Sequence, residues 1–445
     1  MKILILYFVV LGFICIRDLF KVRNLNDFIV AGKRQTTPFV FMSLMATILG
    51  ASATIGVAQK VYSIGFSAFF WLAVGSIGLL LQGLILSKKV NRFNVKTMPE
   101  LAEKTVGIFA KKLVGIIIVV SWIGIIAAQF SAIAAFLSLV IDIQNSDLAI
   151  IITSFLVILY TLLGGQLSVV KTDALQFFIL SFSFIAAFIY LMGGFSGTPA
   201  MNIGDISLFN EKFAPEDFVF LLFTVGGAYF LGPDILSRNF IAKDANVAKR
   251  AVLIGSVSIL FFSFIVVFLG LWVKVNVAEI QNPLFYITEN VLPLPLAIGL
   301  AVGLLSALLS SADTCLINSA AILGNDILNT KRIAVIRILV GVIGFFALLL
   351  ALCGKDIIEL LTMTYSVYTP GIVAPLAIAI LSYEKFELRK KLWYAGIFLG
   401  GFFGIFPSLL SFFSISFLNK NSVFMPLLGI AISFLFALFS LKRKQ

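Results

Sequence analysis

The sequence has no histidine, only three cysteines and few charged residues for a chain of 445 residues. Without histidine, zinc sites and imidazole acid–base catalysis lose the side chain on which they most often depend. Cys15, Cys315 and Cys353 form no C-x-x-C pair, so a disulfide framework is not expected. The sequence also lacks a Gly-x-Ser-x-Gly motif. We therefore do not expect an enzyme.

The composition excludes an ordinary soluble domain. Charged residues make up 12% of the chain, hydrophobic residues make up 60%, and the mean hydropathy is +1.09. The net charge of +12 would suggest a nucleic-acid partner in a soluble chain, but in a membrane protein the placement of the charges matters more than their sum. We expect an all-α, polytopic membrane protein without a nucleic-acid partner.

Residues 304–326 carry many oxygen atoms within an apolar stretch that is long enough to cross a membrane. Four of its residues follow the i, i+3, i+4, i+7 spacing of one helix face: Ala307, Ser310, Ser311 and Thr314. A carbonyl and three hydroxyls on one face suit a small hard cation, which prefers oxygen ligands. The alternative is that these small residues let two membrane helices pack closely. Asp313 favours the interpretation as a functional site, because an acid inside a membrane is energetically costly and is therefore by default a candidate functional residue.

Thirteen apolar stretches predict thirteen transmembrane helices. They fall near residues 3–16, 37–58, 66–87, 113–141, 148–164, 172–194, 217–236, 251–273, 293–323, 333–353, 357–382, 392–412 and 423–441.

The basic residues alternate between the loops that join these stretches. Six of the 33 lysines and arginines fall in one set of loops and the other 27 fall in the alternate set. The six are Lys2, Lys60, Lys212, Lys274, Lys355 and Lys420. Because positively charged loops stay in the cytoplasm, this pattern predicts an outside N-terminus and a cytoplasmic C-terminus in the cell (inner) membrane.

Two of the spans contain residues that interrupt helices. The second span has Gly50 near its middle, and the seventh contains Gly226, Gly227, Gly232 and Pro233. The second and seventh spans are five positions apart, which is the spacing expected for two five-helix halves of opposite orientation. Paired interruptions of this kind indicate a transporter's binding site, since a broken helix exposes backbone groups at mid-membrane. Alone, each glycine could serve helix packing.

Several motifs, in order along the whole chain, resemble the sodium:solute symporter family. They are Asp27-Phe-Ile-Val-Ala-Gly-Lys-Arg34, Tyr62-Ser-Ile-Gly65, Thr97-Met-Pro-Glu100, residues 160–176, Gly232-Pro-Asp-Ile-Leu-Ser-Arg238 and Ala307-Leu-Leu-Ser-Ser311. The resemblance implies the five-plus-five inverted-repeat fold of bacterial amino-acid transporters, with one span before the ten-helix core and two after it. The core helices are numbered 1 to 10 from the second span, and core helices 1 and 6 are expected to be broken. The expected units are residues 1–36, 37–195, 196–385 and 386–445.

The resemblance also implies a sodium site between core helices 1 and 8. Its ligands would be three backbone carbonyls and two hydroxyls, from Ala46, Leu49, Ala307, Ser310 and Ser311. Some members have a second sodium site, for which Asp173 and Thr314 match and Asp313 replaces a hydroxyl residue. Two carboxylates there could bind sodium more tightly or share a proton. Asp173 could instead pair with Lys171 at the cytoplasmic edge.

The resemblance places the substrate between core helices 1, 2, 3, 6, 7 and 10. The candidate residues are Ser52, Thr54, Trp122, Gln129, Tyr229, Asp234, Tyr365 and Tyr368. Each has an ordinary alternative: the aromatic residues could anchor the membrane interface, Gln129 could bond a neighbouring helix, and Asp234 could pair with Arg238 at i, i+4. Gly50 and Ala53 lack the polar side chains that sugar- and sialic-acid-transporting members use, which favours an amino-acid-like solute or organic acid over a sugar.

These expectations combine into one function. We expect sodium-driven symport of a small organic solute by alternating access, with Na⁺ as the coupling ion, the solute and the lipid bilayer as partners, and no obligate protein partner. A proton-coupled transporter of the same fold that uses Asp173 and Asp313 remains an alternative, as does a transporter-like sensor.

Overall fold

The structure is a computed structural model that describes residues 2–141, 143–193, 206–277, 280, 282–354, 357–412 and 424–444. Helices dominate these residues. They are α1 Lys2–Leu19, α2 Leu25–Val30, α3 Thr37–Ile48, α4 Val57–Ile64, α5 Phe70–Leu81, α6 Ser87–Arg92, α7 Met98–Thr105, α8 Ile108–Ile141, α9 Ser146–Met192, α10 Pro215–Leu231, α11 Pro233–Ile241, α12 Ala245–Asn276, α13 Pro283–Tyr286, α14 Leu294–Ala321, α15 Ile333–Ala351, α16 Ile357–Tyr368, α17 Ala374–Ser382, α18 Lys390–Phe412 and α19 Phe424–Phe439. Two short strands, β1 Phe386–Leu388 and β2 Leu441–Arg443, complete the set.

The helices form a membrane bundle. Among the described residues, eight helices are long and apolar enough to cross a membrane. Large apolar side chains point outward from them, such as Phe178 and Phe182, which are each 68% exposed. Such surfaces suit lipid and would be unfavourable in water. The described residues thus confirm a multi-pass membrane protein, and the count of thirteen spans stays a prediction.

The first predicted break is confirmed at Gly50. Helix α3 closes with a hydrogen bond from Leu49 N to Met45 O (3.0 Å), and Leu49 then leaves helical geometry with ψ of 40°. The chain becomes helical again at Ser52, first as a π-helical turn over Ser52–Gly56 and then as α4. The interruption therefore lies within the membrane span, where freed backbone groups need partners.

The second predicted break is confirmed at Gly232. Gly232 separates α10 from α11 with extended geometry (φ −80°, ψ 139°). Pro233 then opens α11, a position that suits proline because the first amide of a helix has no intrahelical acceptor. The same proline cannot continue α10, so the two residues together fix the break.

The fifth and sixth predicted spans form one helix, which is interrupted at a single residue instead of by a loop. Helix α9 runs from Ser146 to Met192 and departs from helical geometry only at Gly165 (φ +68°, ψ 175°). The Phe28 ring packs against this glycine, and a Cβ here would lie 2.7 Å from the ring. Both the backbone conformation and the close contact require glycine.

The loops predicted to be basic meet at one end of the bundle. Four contacts join them: Lys171 Nζ to Asp18 Oδ2 (2.6 Å), Lys33 Nζ to Asn94 Oδ1 (2.8 Å), Gln35 N to Ile241 O (3.1 Å) and Lys89 Nζ to Leu381 O (3.2 Å). Strands β1 and β2 add an antiparallel ladder that pairs Phe386 with Arg443. This arrangement matches the alternation of basic loops in the sequence.

Glycines let core helices 2 and 6 approach closely. A Cβ on Gly78 of α5 would overlap the Gly226 carbonyl oxygen of α10, and a Cβ on Gly75 would lie 2.8 Å from the Tyr229 ring. Membrane helices use small residues in this way because backbone contact replaces the hydrophobic effect. The α5 glycines thereby set the position of Tyr229.

Substituting Gly78→Ala should lower the free energy of unfolding by about 1–3 kcal/mol, because the added methyl group has no room. The measurement is SDS-induced unfolding of the purified protein in detergent. Gly341→Ala in α15 is the control, since nothing lies within 4 Å of that position. Equal stability of the two variants would contradict the packing argument.

Candidate ion and substrate site

The break in core helix 1 exchanges a backbone hydrogen bond for two contacts with other helices. In a continuous helix, Ala51 N would donate to Thr47 O. Instead, Ala51 N donates to Gln129 Oε1 of α8 (3.1 Å), and the Ser311 hydroxyl of α14 donates to Thr47 O (2.7 Å). Gly50 packs so closely on Ser311 that a Cβ would overlap its hydroxyl. Core helices 1, 3 and 8 thus meet at the break.

The residues predicted to bind sodium lie around this junction. Ala46 directly precedes Thr47 in the chain, Leu49 follows it by two residues, and both are almost fully buried. Ser311 also donates to the Ala307 carbonyl (3.2 Å), and neighbouring Ser310 donates to Asp173 Oδ1 of α9 (2.5 Å). The structure therefore brings together the two helix segments from which the predicted carbonyl and hydroxyl ligands come.

Arg238 of α11 was not predicted to take part in this site, but it lies at its centre. Its side chain is completely buried. One terminal nitrogen contacts three side chains on three other helices: Thr47 Oγ1 (2.5 Å), Thr314 Oγ1 (2.8 Å) and Asp173 Oδ2 (3.1 Å). The Arg238 guanidinium thus occupies the space between two members of the predicted second ion site.

Two local pairings considered from the sequence are replaced by longer-range ones. Asp173 pairs with Arg238 rather than with Lys171, and Lys171 pairs with Asp18 at the C-terminal end of α1. Asp173 also accepts a hydrogen bond from Ser43 of α3. Asp234, the expected i, i+4 partner of Arg238, forms no ion pair within 4.0 Å among the described residues. Arg238 pairs with Asp173, whose side chain is completely buried and needs a counter-charge.

Asp313 is the other acid at this level of the membrane. Its side chain is fully buried on α14, and neither carboxylate oxygen has a hydrogen-bond partner within the described part of the chain. An unpaired charge in such surroundings is costly, so a cation or a proton at Asp313 would relieve the penalty.

A small cavity adjoins the ion-site residues. Its lining residues are Thr47, Ile48, Gly50, Ser52, Ile125, Gln129, Tyr229, Asp234, Ile235, Ser311, Cys315, Leu361 and Tyr365. Five of the predicted substrate residues are in this set: Ser52, Gln129, Tyr229, Asp234 and Tyr365. Thr47, Gly50 and Ser311 belong to the junction described above, so the cavity and the junction share a wall.

The other three predicted substrate residues support the walls of the cavity and are not among its lining residues. The Thr54 hydroxyl donates to Gly50 O (2.8 Å) within core helix 1. The Trp122 ring packs edge-on against the Tyr368 ring at 4.8 Å, and the Tyr368 hydroxyl donates to Leu231 O at the second break. Cys315 also lines the cavity, and it was not among the predicted site residues.

Removing the partner of Arg238 should destabilise the protein strongly. We expect Asp173→Asn to lower the free energy of unfolding by about 3–5 kcal/mol, because it leaves a buried guanidinium without its counter-charge. The double variant Asp173→Asn with Arg238→Gln should regain most of this loss, as measured by SDS-induced unfolding. Asp147→Asn, at an exposed position of the same helix, is the control. Wild-type stability of the single variant would refute the pairing.

Comparison with known proteins places this geometry in a family. Residues 28–386 match the model of the "Sodium:solute symporter family". The human high affinity choline transporter 1 is 32% identical over 143 residues, which cover 31% of this chain and 24% of that protein. The sodium/pantothenate symporter of Haemophilus influenzae is 23% identical over 341 residues, which cover 68% of this chain and 67% of that protein.

A solved structure gives the fold. The chain is similar to a Na⁺-coupled sialic acid symporter in a substrate-bound, outward-open state, with a TM-score of 0.77 and 16% sequence identity over 100% of this chain and 98% of that chain. At this identity the likeness establishes the architecture, which is the inverted-repeat fold expected from the two broken helices. With most of the chain matched by the family model, the protein belongs to the sodium:solute symporter family.

Proposed function

We propose that this protein is a secondary active transporter that uses a sodium gradient to drive the symport of a small organic solute by alternating access. One observation carries the proposal. Ser311 contacts the Thr47 carbonyl at the break in core helix 1, and both residues line the cavity. An ion bound at this junction would therefore shape the wall that the solute contacts.

The proposed sodium ligands are the carbonyls of Ala46, Leu49 and Ala307 and the hydroxyls of Ser310 and Ser311. In the structure the Ser311 hydroxyl bridges the Thr47 and Ala307 carbonyls of two helices. A sodium ion would strengthen that connection by drawing carbonyl oxygens of both helices to one charge. Because the solute binds against the same helices, ion and solute favour the same conformation, and each raises the affinity for the other.

Sodium also supplies the driving force for uptake. One positive charge moving inward across 100 mV contributes about 2.3 kcal/mol before any concentration gradient is counted. The proposal places the protein in the cell (inner) membrane with its N-terminus outside, as the distribution of basic loops predicts. The repeats are proposed to span residues 37–195 and 196–385.

We propose that sodium binds at the first site alone. The Arg238 guanidinium already contacts both Asp173 and Thr314, which are the matching members of the predicted second site. A second cation beside it would be repelled. Asp313 remains the residue at which proton coupling could occur, because it is buried without a partner within the described residues.

Sodium should stabilise the purified protein against unfolding, while potassium at the same ionic strength should not. At a concentration of 100 times its dissociation constant, a ligand of the folded state adds about 2.7 kcal/mol. We expect Ser311→Ala to weaken this response strongly, since it removes a proposed ligand. The measurement is the thermal unfolding midpoint in detergent across a sodium titration.

The control is Ser258→Ala, whose hydroxyl bonds the Ile254 carbonyl of its own helix α12. That variant should respond to sodium like the wild type. Proteoliposomes then test the coupling ion: a solute-induced current that follows an imposed sodium gradient supports the proposal. A current that follows only an imposed pH gradient and disappears in Asp313→Asn would establish the proton-coupled alternative instead. A sodium response identical in Ser311→Ala and wild type would refute the site.

The names of the similar proteins do not select a solute. They include a choline transporter, a pantothenate symporter and a sialic acid symporter, whose named solutes differ in charge. The substrate class must therefore be inferred from the side chains that line the cavity of this protein.

A further inference from the structure

The cavity wall carries one acid and no base. Asp234 is the acidic lining residue, and no lysine or arginine is among the described residues that line the cavity. The chain has no histidine that could supply a positive charge. The Asp234 carboxylate is therefore the dominant fixed charge that a solute would meet there.

The nearest arginine in the chain forms no ion pair with this acid. Arg238 lies one helical turn further along α11, but its guanidinium pairs with Asp173 and bonds Thr47 and Thr314. Among the described residues no basic nitrogen lies within 4.0 Å of the Asp234 carboxylate. A carboxylate removed from bulk water is costly unless a cation accompanies it. No described lysine or arginine supplies that cation, so a positively charged group of the solute fits this position.

The aromatic residues of the cavity suit such a cation. Tyr229 and Tyr365 line the same cavity as Asp234. Tyrosine rings attract ammonium groups through their negative faces, and the attraction is strongest where water is excluded. The Tyr229 ring packs closely on Gly75 of α5, which limits the positions that the ring can take. Ile48, Ile125 and Ile235 supply apolar surface for methyl or methylene groups.

We propose that the transported solute carries a positively charged amine, which binds with its ammonium group against Asp234 and the rings of Tyr229 and Tyr365. The inference rests on the proposed function of the cavity as the solute site. It narrows the expectation from the sequence, because an organic acid without an amine would place its carboxylate beside Asp234 with no basic side chain to receive it. A zwitterionic amino acid and a simple organic cation both carry the positively charged group that this site would bind.

Four probes separate the chemical classes: choline as an organic cation, proline as a zwitterion, succinate as an anion and glucose as a neutral solute. Each is titrated against the purified full-length protein in sodium-containing buffer, and the thermal unfolding midpoint is recorded. We expect choline or proline to raise the midpoint and succinate and glucose to leave it unchanged. The choice between choline and proline shows whether the solute also carries a carboxylate.

Substitution of the acid tests the contact itself. We expect Asp234→Asn to weaken binding of the effective amine by about 30-fold or more, since it removes a desolvated charge partner, and Asp234→Glu to restore part of the affinity. Glu216→Gln is the matched control, because Glu216 is an exposed acid in the first turn of α10, the other half of the same broken helix. That variant should bind the probe like the wild type.

Stronger stabilisation by succinate or glucose than by either amine overturns the inference, as does the absence of any response to the amines. Unchanged amine affinity in a folded Asp234→Asn variant also overturns it. A sodium titration without solute keeps this result separate from the proposed function. Normal stabilisation by sodium with no amine response rejects only the substrate class, whereas loss of the sodium response rejects sodium coupling.

Discussion

The structure depends on satisfying backbone groups in a place that water does not reach. A break in a membrane helix frees amide and carbonyl groups, and each one left unpaired in hydrocarbon costs several kcal/mol. At the break in core helix 1, Gln129 takes the free Ala51 amide and Ser311 takes the free Thr47 carbonyl. The break is stable only because side chains from two other helices replace the missing bond. This requirement brings core helices 1, 3 and 8 together beside the cavity.

A second constraint is the burial of a permanent positive charge. Arg238 is completely buried, and its guanidinium connects α11 to α3, α9 and α14 through Thr47, Asp173 and Thr314. Asp173 in turn accepts hydrogen bonds from Ser43 and Ser310. The proposed sodium ligand Ser310 is therefore oriented by an acid whose charge is balanced by the second broken helix. Movement of α11 would shift Asp173 and thereby change the orientation of the Ser310 hydroxyl. This chain of contacts couples the two helix breaks.

Features encoded in short stretches of sequence were predictable. Gly50 and the Gly232-Pro233 pair marked both breaks, because glycine and proline limit helix continuation by their own covalent structure. The oxygen-rich face of α14 was predictable from helical spacing alone. Pairing over long sequence distances was not. The i, i+4 rule pointed Arg238 to Asp234, whereas its partner Asp173 lies on another helix. Gly165 is the single non-helical residue where the sequence predicted a loop. The strands β1 and β2 were not predicted either, because segments of three residues are too short to be distinguished from helix ends.

The short ladder between β1 and β2 has a mechanical consequence. Its antiparallel register joins Leu388 to Leu441 and Phe386 to Arg443, so both ends of the segment that contains α18 and α19 are held at one place. Force applied at Lys444 would reach this ladder before it reached a helix. Because the pull acts at one end of the two strands, the hydrogen bonds between β1 and β2 would break one after another. Helix α19 would be extracted only after these bonds had broken.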